Sequence, residues 1–455
     1  MTHRAVCEWG KVAVGRPGGF TEAQARALMA AASTHPLGGA DGGAILSDHR
    51  HHLRAKQMVG VLAAPGCSLE ILPKVDPEAP DEDAPTVRRR LVSLIDLALG
   101  LDIGDGGAAA MAHGADSLLE VLIRLFAERL LAQTRRGLPR QYLACEDDLP
   151  ALRGRLDVTR QFTVNAVRPD RLACRFDVLS HDIALMRIMA ATVVSLGKRT
   201  RVPATRRLLD ELRFVLADVT LLPPSALPWS AVRIDRTNHS WQSLFRLARL
   251  LMGREWQATG HDAAGHAGTS LLFPMERLFE DAVAALLRRS LANSDIEVVA
   301  QGGLRHCLGD WHEDGLCQGA VFQTRPDLLL RRRGKVIAVI DTKWKRLCAD
   351  PLDRKHGVSQ ADVYQMMAYA RLYECERLML LYPAAPGAGS GEVRRFGVHG
   401  GREMIALGRV ALTGTMSRAA GDLAVLVGGI LAERRQDSRF APPGSPMNAL
   451  GRTCD

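Results

Sequence analysis

The stretch "RPDLLLRRRGKVIAVIDTKWK", residues 325–345, predicts two paired strands whose ends carry two acids and a lysine. The continuous apolar run "VIAVI" is typical of a strand that is covered on both faces of its sheet. The run leads into Asp341-Thr342-Lys343, and because side chains alternate across a strand, Asp341 and Lys343 lie on the same side. The basic turn before this run can fold "DLLLRR" antiparallel onto it, which brings Asp327 towards the other two groups. Charged groups therefore gather where a core is expected to close.

Two carboxylates and a lysine at a strand end are the groups that metal-assisted cleavage of a phosphodiester requires. Carboxylate oxygens hold Mg²⁺, the metal polarises the phosphate and activates a water, and an ammonium offsets the developing charge. An exposed strand end with an ordinary ion pair is the alternative interpretation. A second Asp-x-Lys, from Asp353 to Lys355, lies in a polar segment with no strand before it, so it does not predict such a site.

The composition limits the class of protein. A chain of 455 residues is too long for one core, which favours two or three domains. The net charge of +9 favours a polyanionic partner, although solvated arginine-rich helix faces would give the same charge. Nine scattered cysteines without a CxxC pair predict a reducing compartment and argue against a zinc site. With no signal-like apolar start and no membrane-length apolar run, we expect a cytoplasmic protein without a membrane partner.

Composition and hydrophobic periodicity divide the chain into four regions. Residues 1–87 predict a mixed α/β domain. The run "AVCEWGKVAVG" predicts a short strand, Thr21 and Gln24 predict a capping box at the start of a helix, and Pro65-Gly66 predicts the turn of a β-hairpin. An acidic, proline-rich linker ends this region. Residues 88–262 predict a mainly helical domain with a short strand pair, "RGRLDVTRQF" with "RLACRFDVL". Residues 263–435 alternate helices with buried-looking strands, and residues 436–455 predict a disordered tail. The predicted fold class is therefore α+β or α/β with several domains.

Two predicted helices of the C-terminal region carry polar groups that could join the strand end. In "MERLFEDAVAALLRRSLA", Glu280 lies beside the apolar stripe, and Glu276 is a possible substitute one turn earlier. In "SQADVYQMMAYARLY", Asp362, Gln365 and Tyr369 share one face. For any one of these groups, a solvated helix face is the simpler interpretation.

Taken together, "PD…DTK" followed by "QMMAY" resembles the PD-(D/E)xK nuclease superfamily, in its branch with a Q-x-x-x-Y helix. The chain more closely resembles the McrC family, the nuclease subunits of McrBC modified-cytosine restriction systems. The stretches that carry this resemblance run in family order: "LEILPKV" (69–75), "LRGRLD" (152–157), "FPMERLFEDAV" (273–283), "RPDLLL…VIDTKWK" and "ADVYQMMAYA" (361–370).

The resemblance implies a nuclease fold for residues 263–435, with a central mixed sheet flanked by helices. It implies that Asp327, Asp341 and Glu280 hold Mg²⁺ or Mn²⁺, and that Lys343 and Gln365 act in catalysis. Tyr369 would be structural or DNA-facing. Further positions that could support the site or contact phosphates are Asp362, Arg153 and Arg155.

The resemblance also implies a partner. No G-x-x-x-x-G-K-[ST] occurs, so we expect no bound nucleotide in this chain. In the family, a separate GTP-driven AAA+ hexamer, McrB, recognises modified double-stranded DNA, and residues 1–87 would dock on it. The expected function is then Mg²⁺-dependent cleavage of 5-methylcytosine-type DNA in defence against foreign DNA. A stand-alone DNA processing or repair nuclease, or a non-catalytic assembly or DNA-binding factor, are the alternatives.

Overall fold

A computed structural model of the chain describes residues 2–39, 41–74, 82–101, 117–253, 270–312, 317–347, 353–385, 388–412 and 416–432. Its N-terminal elements build two small sheets and one helix. These elements are β1 (Thr2–Cys7), β2 (Lys11–Ala13), α1 (Glu22–Thr34), β3 (Leu46–Asp48), β4 (His52–Ala55), β5 (Met58–Ala64) and β6 (Cys67–Leu72). Residues 75–81, most of the predicted acidic linker, and the predicted tail lie outside the described residues.

Local sequence signals account for much of this N-terminal part. Thr21 and Gln24 form the predicted capping box at the start of α1. β5 and β6 form the predicted hairpin around Gly66, whose φ of 76° suits glycine. The run "AVCEWGKVAVG" was expected to be one strand, but a turn at Glu8 and Trp9 divides it into β1 and β2, with Trp9 at a φ of 64°.

The middle of the chain is a helical body from which a strand ribbon extends. Its elements are α2 (Ala84–Leu99), α3 (Leu118–Arg136), β7 (Gln141–Leu149), β8 (Arg155–Leu156), α4 (Val158–Thr163), β9 (Leu172–Ser180), α5 (Ala184–Gly197), α6 (Pro203–Val215) and α7 (Gln242–Leu251). Short 3₁₀ turns span Pro224–Ala226, Trp229–Ala231 and His239–Trp241. The predicted strand pair is confirmed only in part, because Arg155–Leu156 of "RGRLDVTRQF" pairs with β9 whereas the second half of that stretch is α4. The main partner of β9 is β7, which pairs with it along its whole length.

The C-terminal part contains a mixed sheet in the order β11-β14-β15-β16-β18-β17. Its elements are β10 (Leu271–Pro274), α8 (Met275–Ser290), β11 (Ile296–Ala300), β12 (Arg305–Trp311), β13 (Cys317–Thr324), β14 (Leu328–Arg332), β15 (Lys335–Thr342), α9 (Gln360–Tyr373), β16 (Arg377–Pro383), β17 (Gly391–Gly397), β18 (Met404–Val410) and α10 (Met416–Leu431). β15, β16 and β18 are parallel, whereas β14 runs antiparallel to β15. Helices α8 and α10 share a core with one sheet face, and α9 packs on the other.

The N-terminal and C-terminal parts share a sheet and a core. β10 falls within the range predicted for the nuclease domain, yet it pairs antiparallel with β5 and completes the sheet β1-β6-β5-β10. α8 follows β10 directly, so the N-terminal sheet fixes where that helix begins. No described helix has both the length and the apolar character needed to cross a bilayer.

A buried ion pair ties the N-terminal sheet to the helical body. Glu70 of β6 is fully buried and accepts hydrogen bonds from Arg88 Nε at 2.9 Å and Nη2 at 2.7 Å. The backbone N–H of Leu118, at the start of α3, donates to the same carboxylate at 2.8 Å. Removal of one partner from such a pair strongly destabilises the fold, because the other charge is left buried without a counter-charge.

Candidate active site

Asp327 and Asp341 are neighbours across the β14–β15 pair. Leu328 lies opposite Ile340 in this antiparallel register, so the next step along the pair brings Asp327 opposite Asp341. Side chains opposite one another in such a pair have Cβ atoms about 5 Å apart. Asp341 is buried and Asp327 is half-buried. Two carboxylates therefore lie together at the carboxyl end of β15, where the sequence placed them.

Lys343 lies beside Asp341, and α9 covers both. Its Nζ is 2.7 Å from Asp341 Oδ2 and 3.3 Å from Gln365 Oε1. The amide of Gln365 donates in turn to the hydroxyl of Tyr369 at 2.8 Å. Tyr369 is buried and its hydroxyl donates to the backbone carbonyl of Arg325 at 3.3 Å. Of the two roles expected for Tyr369, this position fits the structural one, because it supports Gln365 from behind.

Thr342, between the acid and the lysine, fixes Asp327. Its N–H and its hydroxyl both donate to Asp327 Oδ2, at 2.7 Å and 2.8 Å. The N–H of Lys343 donates to the carbonyl of Leu381 at 2.9 Å, which extends the β15–β16 pairing beyond Thr342. The strand end is therefore held by its own backbone as well as by side chains, so the charged groups have a defined geometry.

Glu280 approaches the two aspartates from α8. Burial, reinforced by the charge of Asp327, raises the pKa of Glu280 to about 7, while a hydrogen bond with Gln301 acts in the opposite direction. Its Oε1 is buried and has no hydrogen-bond partner among the described residues. Glu276 is exposed and accepts from Gln57 at 3.1 Å. The sequence left open which of the two glutamates turns inward, and in the structure it is Glu280.

The electrostatics of the strand end follow from crowding. Burial and the neighbouring Asp327 carboxylate raise the pKa of Asp341, and Lys343 acts against them. Burial opposes the charge of Lys343, but Asp341, Asp327 and Asp362 together raise the pKa of this lysine. Lys343 therefore keeps its proton at neutral pH, so it acts as a positive charge and hydrogen-bond donor, not as a base.

The acids fit a hard divalent cation in chemistry. Mg²⁺ and Mn²⁺ prefer carboxylate oxygens, and the unpartnered oxygen of Glu280 together with the repulsion among Glu280, Asp327 and Asp341 would be relieved by a cation. As they stand, no three His, Cys, Asp or Glu side chains within the described ranges are grouped closely enough to hold a metal. Coordination by all three acids would therefore require their side chains to rotate inward.

The remaining predicted positions fall into two groups. Asp362 forms an ion pair with Lys345 at 2.5 Å and so ties α9 to the segment after β15. Arg155 lies in β8 of the β7-β9-β8 sheet instead, and Arg153 lies just before β8, with its guanidinium 4.2 Å from the ring centre of Phe176 on β9. Neither lies in the sheet that contains β14 and β15.

Sequence reasoning missed two residues that shape the site. Gln301 directly follows β11, donates its N–H to the carbonyl of Asp327 at 2.8 Å and hydrogen-bonds Glu280. Thr342 was read only as the spacer of Asp-x-Lys, although a β-branched hydroxyl at that position is well placed to reach the adjacent strand. No local pattern marks Gln301, because its role depends on the β11–β14 pairing.

One family model and two solved structures match this chain. A family model described as "McrBC 5-methylcytosine restriction system component" matches residues 53–383. A chain from a refined half-complex of a tetradecameric assembly of Thermococcus gammatolerans McrB AAA+ hexamers with bound McrC is similar in fold, with a TM-score of 0.70 at 20% identity, over 94% of this chain and all of that one. The T. gammatolerans McrBC complex gives a second match, with a TM-score of 0.52 at 23% identity, over 64% of this chain and 88% of that one. No curated protein sequence matches significantly.

Proposed function

This chain belongs to the family of McrBC 5-methylcytosine restriction system components, and we propose that it is the DNA-cleaving subunit of such a system. The observation that carries the proposal is the cross-strand pair Asp327 and Asp341 with Lys343 Nζ 2.7 Å from Asp341, at the carboxyl end of a central strand. A purely structural ion pair would not explain a third acid, Glu280, which is half-buried near Asp327 with one buried oxygen that has no hydrogen-bond partner among the described residues. In this assignment the C-terminal part is a PD-(D/E)xK nuclease domain.

The chain's own groups would divide the work of hydrolysis. Asp327, Asp341 and Glu280 would hold Mg²⁺ or Mn²⁺, which when bound polarises a phosphate and lowers the pKa of a water. Lys343, protonated and directed by Gln365, would donate to the attacking water or to a phosphate oxygen on which negative charge develops. Asp362 and Tyr369 would keep α9 in place, so that Gln365 stays within reach of the ammonium.

A partner surface is available outside the nuclease part. In the T. gammatolerans assembly McrC is bound to McrB AAA+ hexamers, and we propose a corresponding GTPase partner for this chain. Large exposed apolar side chains occur along the β7–β9 ribbon and α4, among them Tyr142, Phe162 and Val167 at 73%, 74% and 86% exposure. Contiguous exposed apolar surface is typical of an interaction site. The docking surface would then lie in this ribbon, rather than in residues 1–87 as the sequence suggested.

The decisive experiment is plasmid cleavage by the purified chain, with and without its AAA+ partner and GTP, on methylated and unmethylated DNA. We expect Mg²⁺-dependent cutting of methylated DNA that requires the partner and is abolished by Asp341→Ala. Lys355→Ala is the matched control, since it removes the lysine of the second Asp-x-Lys from an exposed loop. Cutting by the chain alone would favour a stand-alone processing nuclease. Unchanged activity in Asp341→Ala would leave a non-catalytic assembly factor.

A further inference from the structure

Glu8 is a buried acidic side chain that connects the N-terminal sheet to the strand end of the candidate site. It lies in the turn between β1 and β2 and is only 1% exposed. Its Oε2 accepts from the backbone N–H of Lys74 at 2.9 Å and from the indole N–H of Trp344 at 3.0 Å. The turn itself is held by a bond from the Glu8 N–H to the carbonyl of Leu72 at 2.9 Å. Glu8 therefore holds Trp344, just after the end of β15, from a turn that is itself fixed by a hydrogen bond.

Trp344 is placed between the two halves of the candidate site. It directly follows Lys343, and its ring packs against Phe279 with the centroids 5.4 Å apart. Phe279 is fully buried and directly precedes Glu280. The indole is itself buried, so a change in its position would be transmitted to the backbone of Lys343 on one side and to α8 on the other.

We propose that Glu8 is a positioning residue for DNA cleavage, which sets Lys343 and Glu280 through its hydrogen bond to Trp344. The inference rests on the proposed nuclease function. Glu8 would act indirectly, by fixing the position of the Trp344 indole. This indole adjoins Lys343 along the chain and packs against Phe279, the neighbour of Glu280.

The energetic cost of Glu8 supports a role of this kind. Burial raises its pKa to about 8, while the bonds from Lys74 and Trp344 act in the opposite direction. Its second oxygen, Oε1, is buried without a hydrogen-bond partner among the described residues. With a pKa of about 8, Glu8 is mostly the neutral acid at neutral pH, and burying even a neutral carboxyl group with incomplete hydrogen bonding is unfavourable. An apolar side chain would avoid this cost. What an apolar side chain would not provide is an acceptor for the indole.

The test compares steady-state cleavage by the chain reconstituted with its AAA+ partner. We expect Glu8→Ala to lower kcat about tenfold with little change in KM for DNA, because misplacement of a site by a fraction of an ångström slows the chemical step. Glu8→Gln keeps an acceptor of the same size and should restore most of the rate. Trp344→Phe keeps the ring and loses the N–H, so it should resemble Glu8→Ala, and the double variant should be no slower than either. Gln57→Ala removes an exposed contact between the same parts of the chain and should leave kcat unchanged.

A readout without DNA separates this inference from the proposed function. In the ¹⁵N-tryptophan-labelled chain, which has six tryptophans, the Trp344 indole signal is identified by its loss in Trp344→Phe. We expect that signal to shift and to exchange faster in Glu8→Ala, and to stay in place in Glu8→Gln. If the wild type does not cut DNA, the proposed function fails, and the indole signal still tests the contact.

Three outcomes would overturn the inference. One is a wild-type kcat in Glu8→Ala. Another is a loss of kcat in Glu8→Gln as large as that in Glu8→Ala, since the hydrogen-bond acceptor would then be irrelevant. The third is an additive loss in the double variant. Should Glu8→Ala fail to fold, the comparison of Glu8→Gln with Trp344→Phe decides the matter.

Discussion

Lys343 reaches back two residues along its own strand and places its ammonium 2.7 Å from Oδ2 of Asp341, a carboxylate that is 1% exposed. The pair is asymmetric, because Asp341 is enclosed whereas Lys343 is half-buried and also bonded to Gln365. In the proposed mechanism the less enclosed lysine is the half of the pair that would turn from its carboxylate towards a bound phosphate.

Replacing the lysine should abolish chemistry and weaken the fold slightly. For Lys343→Ala we expect at least about a hundredfold loss of cleavage, because a donor directed at developing charge is removed. The free energy of unfolding should fall by about 1–3 kcal/mol, since Asp341 is left buried without its cation. Plasmid cleavage and urea melts measure the two effects. Lys355→Ala should change neither, and a large loss in that control would undermine the assignment of Lys343.

The two glutamates of α8 should differ in their response to metal. In EDTA, Glu280→Gln should raise Tm because it removes a buried charge that Asp327 repels. Mg²⁺ or Mn²⁺ should raise the Tm of the wild type, and the variant should lose most of this increase. Glu276→Gln, at the exposed position one turn earlier, should behave like the wild type in both buffers. A cation-induced increase that survives in Glu280→Gln would exclude Glu280 as a ligand.

The Glu70–Arg88 pair should make the fold sensitive to acid. Although burial acts against it, hydrogen bonds from Arg88, with His3 and Leu118 contributing, lower the pKa of Glu70 to about 2. A carboxylate with a lowered pKa in the folded state contributes stability above its unfolded pKa, near 4.5, and that stability is lost as the pH falls towards 2. The full contribution is about 3 kcal/mol. The free energy of unfolding, measured by urea melts between pH 7 and pH 3, should therefore fall less steeply with falling pH for Glu70→Gln than for the wild type. An equal pH dependence of the two proteins would contradict the prediction.

The ribbon should bind the partner without supporting the fold. Phe162→Asp changes a side chain that is 74% exposed, so the free energy of unfolding should stay within about 0.5 kcal/mol of the wild type. Binding to the AAA+ partner, measured by interferometry, should weaken, and partner-dependent cleavage should fall with it. Phe214→Asp is the matched control, because Phe214 is 85% exposed on α6, away from the ribbon. Equal binding by both variants would place the docking surface elsewhere.

The C-terminal part should be less stable on its own than within the whole chain. A fragment of residues 263–435 lacks β5, the sheet partner of β10, and lacks Glu8, the acceptor for Trp344. We expect it to unfold at a lower urea concentration than the whole chain, as measured by circular dichroism. Co-expression with residues 1–101 should restore part of the difference. A fragment as stable as the intact protein would show that these contacts contribute little.

The sequence predicted the elements whose signals are local. The apolar run into Asp341, the hairpin at Gly66 and the capping box at Thr21 all depend on residues a few positions apart, and the structure confirms each. Helical spacing likewise predicted that Asp362 and Gln365 share one face of α9, and in the structure they contact Lys345 and Lys343, which follow β15.

What the sequence did not predict depends on distant or exposed partners. β7 was missed because a strand exposed on both faces has no apolar alternation to reveal it. The bond between Glu8 and Trp344 joins residues 336 positions apart, and β10 pairs with a strand about 210 residues earlier. No pattern within either segment indicates its partner. The contacts that the sequence did not predict between regions are therefore those of Glu8 with Trp344 and of β10 with β5.

The place of β10 in the N-terminal sheet has a consequence for how such subunits can be recombined. A chimera that joins the first 260 residues of one relative to the nuclease part of another would force a foreign strand against β5, and a foreign indole against Glu8. The buried contacts between the two parts of such a hybrid would be poorly matched, even when every residue of the candidate site is present. Exchange of whole halves between relatives should therefore fail more often than exchange of the β7–β9 ribbon, which belongs to a separate sheet in the order β7-β9-β8.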